Sequence, residues 1–496
     1  MIFQAIETIF NPTTFIFILT GVASGICIGA LPGLTATMGV ALVLPLTFGM
    51  RVEAGMLLLL GTYVGAIYGG SISAILLKTP GTPASAATAI DGFEFSKRGE
   101  SGRALGIATL SSVIGGLVSC VILILISPQL AKLALSFSSP EFFMLAVFGL
   151  TIISSISGKS LAKGLICGCI GLLAAMVGID SITGFVRYDF GNINLLNGIA
   201  YIPAMIGLFA MSEVFNTVEE MRSPSKASQK LTRLLPTKSD LKIILKTGSI
   251  SGIIGTMIGI VPGAGADIGA FVSYNEAKRF SKHPEKFGTG IPEAIAASEG
   301  GNNGVTGGAL IPMLTLGIPG DATSAIMIGA LTIQGLQPGP LLFKEHQDLM
   351  YIVFVGMIVA NLLMGCLGFA GLRFFTKVLS IPKGILTPII CLLCIVGSYA
   401  INTNFFDVGV MLFFGILGYF MNKLDIPASP AVLGIILGPM AESHFRRALL
   451  MSQGSLWTFC QSPISVFFMF MSLLTLFYPI ISKRLAARKS AVTQSS

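Results

Sequence analysis

Long stretches of this chain contain no Asp, Glu, Lys or Arg, among them 54–77, 104–131, 190–212, 247–266, 349–372, 384–406 and 448–482. About 20 apolar residues in a helix cross the hydrocarbon of a bilayer, and each stretch reaches that length. Charged residues make up 11% of the 496 positions and hydrophobic ones 53%, where a soluble domain carries about 25% charge. The chain is therefore read as an all-α polytopic membrane protein with about a dozen transmembrane segments, embedded in the lipid bilayer.

The basic residues give an orientation. The first is Arg51, so no positive n-region precedes the first apolar segment, which is expected to stay in the protein. The segment 213–246 carries Arg222, Lys226, Lys230, Arg233, Lys238, Lys242 and Lys246, and the end of the chain carries Lys483, Arg484, Arg488 and Lys489. Such clusters also suit nucleic acid, but beside apolar spans they mark cytoplasmic loops, and no nucleic-acid partner is expected. The linker and C-terminus are placed in the cytoplasm and the N-terminus in the periplasm. Cys391 and Cys394 form a C-x-x-C within an apolar run, read as small apolar residues on one helix face. No cofactor and no bound metal are expected beyond a transported Na⁺.

The chain also repeats itself. "GICIGALPGLTATMG" from Gly25 matches "GTMIGIVPGAGADIG" from Gly255, and "GAIYGGSISAILLKTPGTPASA" from Gly65 matches "GVTGGALIPMLTLGIPGDATSA" from Gly304. Both pairs occur in the same order, with a longer loop between the motifs of the second copy. This is the mark of duplication. In the first copy the loop after the second motif is the more basic one, with Lys97, Arg98 and Arg103. In the second copy it is the loop after the first motif, with Lys278, Arg279, Lys282 and Lys286. Positive loops facing the cytoplasm make the copies inverted. The expected organisation is a membrane repeat over 13–212, a basic cytoplasmic linker over 213–246, a second repeat over 247–482 and a cytoplasmic tail over 483–496.

Four Pro-Gly pairs interrupt these apolar segments: Pro32-Gly33, Pro80-Gly81, Pro262-Gly263 and Pro319-Gly320. Pro removes a backbone donor and Gly lets the chain leave helical geometry. Broken backbone in a membrane is tolerated only inside protein or beside a wet cavity. Half-helix N-termini suit a carboxylate, and freed carbonyls suit a cation. The residues around the breaks complete a candidate substrate site: Thr35, Thr37, Thr82, Ser85, Gly265, Asn302, Asn303, Thr323 and Ser324. Asp267, Glu299 and Asp321 are candidates for cation coupling, since ionisable groups inside a membrane carry functions. Lys78 is read either as part of this set or as a side chain reaching to the interface. For any single hydroxyl, helix packing explains it as well as a site does; the cluster at matched breaks favours the site.

At these motifs the chain resembles the large membrane subunit of the tripartite tricarboxylate transporter family, the TctA-like proteins. The strings that carry the resemblance are "LPGLTATMGVALVLPLTFGM" from Leu31, "YGGSISAILLKTPG" from Tyr68, "GIDSITGFVRYDFG" from Gly178, "PGAGADIGAFVSY" from Pro262, "SEGGNNGVTGGALIPMLTLGIPGDATSA" from Ser298 and "GLQPGPLLF" from Gly335. The resemblance implies a large permease subunit, a small membrane subunit and a periplasmic solute-binding protein. Together they would import small organic carboxylates, tricarboxylates or dicarboxylates, coupled to Na⁺ or H⁺ rather than to ATP. No G-x-x-x-x-G-K-[ST] loop is present. The chain departs from the family's usual pattern at Thr82, at Asp321 and in "SEGGNN", all within the candidate site. A stand-alone carboxylate permease is the alternative within transport. An intramembrane enzyme is a further alternative, without an H-E-x-x-H or G-x-S-x-G motif to support it.

Overall fold

The computed structural model describes residues 1–151, 161–180, 182–220, 236–379 and 381–476. The tail over 483–496 and the linker residues Arg222, Lys226, Lys230 and Arg233 lie outside the described residues. Apart from a two-stranded ribbon, Gly178–Ile179 with Val186–Arg187, the described elements are helical. In chain order they are α1 (Ile2–Phe10), α2 (Pro12–Ala30), α3 (Ala36–Val43), α4 (Val52–Leu77), α5 (Ala86–Lys97), α6 (Ser101–Ala134), α7 (Ser139–Thr151) and α8 (Leu161–Ala175). Next come α9 (Tyr201–Glu219) and α10 (Lys238–Ile260), each with a π-helical stretch. After these come α11 (Gly265–Phe280), α12 (Pro292–Leu316), α13 (Ala322–Ile333), α14 (Pro340–Glu345), α15 (Gln347–Ala370), α16 (Leu372–Val378), α17 (Lys383–Asn402), α18 (Phe405–Lys423), α19 (Ser429–Met451) and α20 (Pro463–Leu476).

Among the described residues eight helices are long and apolar enough to cross a membrane: α2, α4, α6, α9, α10, α15, α17 and α18. Shorter apolar helices include α7, α8, α13 and α20. The chain is an all-α polytopic membrane protein, as composition predicts. One buried helix is missing from this set. α12 is buried over nearly its whole length, yet it carries Ser298, Glu299, Asn302, Asn303 and Thr306. It is polar because its surroundings are protein rather than lipid.

Two compact units form, the first from residues 1–134 and 202–419, the second from 135–201 and 420–496. This division follows packing, whereas the repeat boundaries follow sequence similarity.

In the first unit the repeated glycines bring backbones into contact. Gly25 of α2 lies against α4, where an added Cβ would stand 2.9 Å from the Ala66 nitrogen, and Gly65 of α4 returns the approach at 3.0 Å from the Ile26 nitrogen. The second copy repeats the arrangement with α10 and α12. A Cβ on Gly259 would meet the Val305 oxygen at 2.7 Å, and one on Gly304 would meet the Gly252 oxygen at 2.5 Å. Lipid tails give no hydrophobic drive between helices, so such small-residue faces supply van der Waals contact instead. α6 joins the second pair, since Gly115 abuts Gly300 of α12 backbone to backbone.

The long helices of the second motifs end alike. α4 stops at Lys78 in left-handed conformation (φ 59°), and α12 stops at the matching Gly317 (φ 71°). Lys78 is exposed, and its ammonium lies 5.8 Å from the Phe93 ring centroid. A non-glycine residue in this region costs about 1–2 kcal/mol. Lys78→Gly is therefore expected to stabilise the chain by about 1 kcal/mol, read as a higher thermal midpoint in detergent. A lower midpoint would show that the lysine stem over Phe93 outweighs the backbone strain.

In the second unit α8 and α19 meet through Gly171 and Gly434, and Phe143, Phe445 and Phe459 form an aromatic cluster with centroids 4.8–5.7 Å apart. The ribbon is held to α19 by ions. Arg187 binds Glu442 at 2.6 Å, and Arg446 binds both Asp180 and Glu442. The Thr183 backbone N–H, the Arg446 guanidinium and the Ile182 N–H hold the Asp180 carboxyl well below the usual carboxylate range. These groups line a cavity of about 240 Å³ together with Asn197, Tyr201 and Ser443. Its two arginines face two carboxylates, so the cavity presents no net charge.

Candidate functional site

Each break is shaped by its own sequence. Between α2 and α3, Pro32 ends the helix and Gly33 turns at φ 95°. Thr35 then caps α3, accepting from Met38 N at 3.1 Å, so its side chain serves its own helix. Two residues on, Thr37 meets Thr323 of the second copy, hydroxyl to hydroxyl, at 3.1 Å. The matching break between α10 and α11 turns at Gly263 (φ 78°) and Gly265 (φ 70°). Gly263 N donates to Gly320 O at 2.6 Å, which ties the two breaks of that copy together after Pro262 and Pro319.

The breaks that follow α4 and α12 hold most of the polar chemistry. After Pro80, Gly81 N donates to Gly70 O at 3.3 Å. Ser85 Oγ donates to Thr82 O at 2.8 Å, while Thr82 Oγ1 is buried without a hydrogen-bond partner among the described residues. After Pro319 and Gly320, Asp321 heads α13. Its Oδ1 accepts from Ser324 N at 2.7 Å, and its backbone N–H donates to Ser324 Oγ at 2.9 Å. This is a full capping box. Oδ2 accepts from the Tyr63 hydroxyl of α4 at 2.6 Å. From the opposite direction Asn302 of α12 donates its amide to Ala84 O at 3.5 Å. Side chains of each copy thus reach the break of the other. Asn302 Oδ1 and Asn303 Oδ1 are buried without partners among the described residues, while Asn303 Nδ2 donates to Glu299 O at 3.1 Å.

Of the three candidate acids, Asp267 and Asp321 lie near enough to repel one another, while Glu299 stands among other partners. Glu299 is fully buried, with Thr88 Oγ1 2.5 Å from Oε1 and Ser112 Oγ 2.9 Å from Oε2. Asp321 is bound as described above. Asp267 stands in the first turn of α11 with its side chain exposed. Unpartnered buried oxygens at Thr82, Asn302 and Asn303 are the kind of atom a ligand hydroxyl or a cation satisfies.

Several residues of this site carry no signal in composition. Tyr63 sits in a charge-free run and reads as lipid-facing or core. The spacing that places Gly65 on Gly304 also places Tyr63 on Asn302, and that correspondence was its one trace. Thr88 and Ser112 read as packing residues. Asp91 is a further buried acid that its loop-like sequence hides. Its carboxylate accepts from the Tyr274 hydroxyl at 2.8 Å and from the backbone N–H groups of Gly288, Gly290 and Ile291 at 2.7–3.2 Å.

Comparison with known proteins gives a consistent picture. A family model described as the tripartite tricarboxylate transporter TctA family matches residues 15–433. A relative from Agrobacterium vitis, named an uncharacterized 52.8 kDa protein in the TAR-I ttuC' 3'region, is 36% identical over 459 residues. The match covers 92% of this chain and 91% of that relative. A second protein of the same organism, named for the TAR-II ttuC' 3'region, is 37% identical over 211 residues, 42% of this chain and 87% of its own length. No solved structure matches the chain.

Proposed function

Since the chain belongs to the tripartite tricarboxylate transporter TctA family, we propose that it is the large permease subunit of a binding-protein-dependent secondary transporter that imports small organic carboxylates with a cation gradient. It would work in a bacterial inner membrane with a small membrane subunit and a periplasmic solute-binding protein. The observation that carries the reading is the exchange of side chains between matched breaks: Tyr63 to Asp321, Thr37 to Thr323 and Asn302 to Ala84. A protein that only packed helices would have no use for broken backbone at four related places. Paired breaks facing one another are where inverted-repeat transporters bind their cargo.

In this mechanism substrate carboxylates meet N–H groups and hydroxyls at the breaks, around Pro32, Pro80, Pro262 and Pro319. The coupling cation is neutralised by Glu299, Asp321 or Asp267. Alternating exposure of the breaks then carries both across. The deciding experiment is uptake of labelled mono-, di- and tricarboxylates by cells expressing the chain with and without its candidate partners, with Na⁺ and proton gradients set separately. Gradient-dependent uptake that requires all three proteins is the expected result. Uptake by this chain alone would make it a stand-alone permease, and no carboxylate uptake with all parts inserted would end the proposal.

A further inference from the structure

The cavity of about 240 Å³ in the second unit has none of the break residues in its lining. Its charges form a closed ring. Arg187 grips Glu442 fork to fork, Nη1 to Oε1 at 2.6 Å and Nη2 to Oε2 at 3.2 Å. Arg446 Nη1 binds Asp180 Oδ2 and lies 3.4 Å from Glu442 Oε1. The ring is neutral but not saturated. Arg187 Nε is buried without a hydrogen-bond partner among the described residues, and a buried donor left unused is costly. A carboxylate offers about four acceptor positions. Glu442 uses three, all on the two arginines, and Asp180 uses three, on Arg446 and the N–H groups of Ile182 and Thr183. The complement of this ring has one anionic group, one cationic donor and no net charge.

The cavity adjoins an apolar groove. Ile182 and Arg446 line both the cavity and a groove of about 420 Å³ that runs over Leu449 and Leu450. The sequence of α19 builds this gradient. Glu442 and Ser443, then Arg446, then Leu449 and Leu450 follow at steps of three and four residues, so one helix face passes from charged to apolar. Leu450 is 69% exposed, and Trp457, the one tryptophan of the chain, is 68% exposed. Tryptophan favours the headgroup level of a bilayer.

We propose that the joined cavity and groove bind a zwitterionic phospholipid, phosphatidylethanolamine, with the headgroup at the ionic ring and an acyl chain along Leu449 and Leu450. A phosphate oxygen accepts from Arg187 Nε. The ammonium donates to the positions left on Glu442 and Asp180. A headgroup of net negative charge would leave that charge uncompensated beside a neutral ring. A soluble zwitterion would fill the ring and leave the groove unused. The cavity has the space of roughly eight waters, enough for a phosphate joined to an ammonium by a short linker.

The test uses the purified full-length chain, stripped of lipid in detergent, with added phosphatidylethanolamine or phosphatidylglycerol and binding read by native mass spectrometry. Wild type is expected to bind phosphatidylethanolamine at least about tenfold more tightly than phosphatidylglycerol. Glycerophosphoethanolamine, which lacks the acyl chains, should fail to displace the bound lipid. Glu442→Gln keeps the shape but removes one negative charge, and should bring phosphatidylglycerol within about twofold of phosphatidylethanolamine. Leu450→Ser, an exposed change that leaves the ring intact, should weaken phosphatidylethanolamine about fivefold and preserve the preference between headgroups. Equal binding of the two lipids by wild type, or an unchanged ratio in Glu442→Gln, overturns the proposal. Displacement of lipid by an equal concentration of glycerophosphoethanolamine overturns it in favour of a soluble zwitterion. If Glu442→Gln fails to fold, wild-type selectivity and Leu450→Ser decide. Absence of bound lipid in wild type also overturns it.

Discussion

Asp91→Ala is expected to destabilise the chain by about 3–5 kcal/mol, because it leaves several buried donors without an acceptor at about 1–3 kcal/mol each. The Asp91 side chain is fully buried on α5 and gathers the Tyr274 hydroxyl and three backbone N–H groups of the loop before α12. The same loop is tied a second time, by Arg98 donating to the carbonyls of Thr289 and Gly290. Asp91 therefore does what several ordinary side-chain contacts would do, at one point. The measurement is the thermal midpoint in detergent, with a fall on the order of 5 °C. Lys286→Ala, an exposed change in the same loop, serves as control. A midpoint for Asp91→Ala within a degree of the control would show that the loop is held by Arg98 and its hydrophobic contacts, chiefly Phe287 against Tyr274 at 5.3 Å.

Glu299→Gln should abolish gradient-driven uptake while leaving the protein folded. Glutamine has the length and hydrogen-bonding reach to keep Thr88 and Ser112 as neighbours. It cannot exchange a proton or balance a cation. A buried carboxylate among hydroxyls, with no ion pair to Lys or Arg among the described residues, is costly unless a proton or cation accompanies it. The insertion cost of such a charge is about 2.5–3.5 kcal/mol, so loss of the accompanying cation should lower coupled uptake by roughly 100-fold. Exchange of substrate across the membrane without a gradient should persist, because the breaks are unaltered. Full gradient dependence in the Gln variant would remove Glu299 from coupling and leave Asp267 and Asp321.

The four Pro-Gly breaks, the internal similarity and the long apolar helices are legible in the sequence because each leaves a local mark: a residue pair, a spacing or an absence of charge. α12 falls short of a span in hydropathy, although 300–320 carries no charge. Its Glu299, Asn302 and Asn303 lower its hydropathy although it lies deeper in protein than most of the apolar helices. Partners across the site are hidden for a different reason. Which hydroxyl meets Glu299, or which tyrosine meets Asp321, depends on contacts between residues 187 to 258 positions apart. Nothing in either segment alone encodes that pairing. The unequal ends at Thr82 and Asp321 are visible in the aligned motifs, but that one carboxylate is fully bound and the other hydroxyl idle is a matter of geometry.

The glycine faces have a mechanical consequence. Where Gly25 meets α4, Gly304 meets α10 and Gly115 meets α12, main chain rests on main chain. Such joints have no side chains to swing aside, so α2 with α4, and α10 with α6 and α12, form two closely packed groups. Between the groups run single hydrogen bonds from three hydroxyls and an amide, at Thr37, Tyr63, Thr88 and Asn302. Bonds of that kind can be traded one for one with water or cargo.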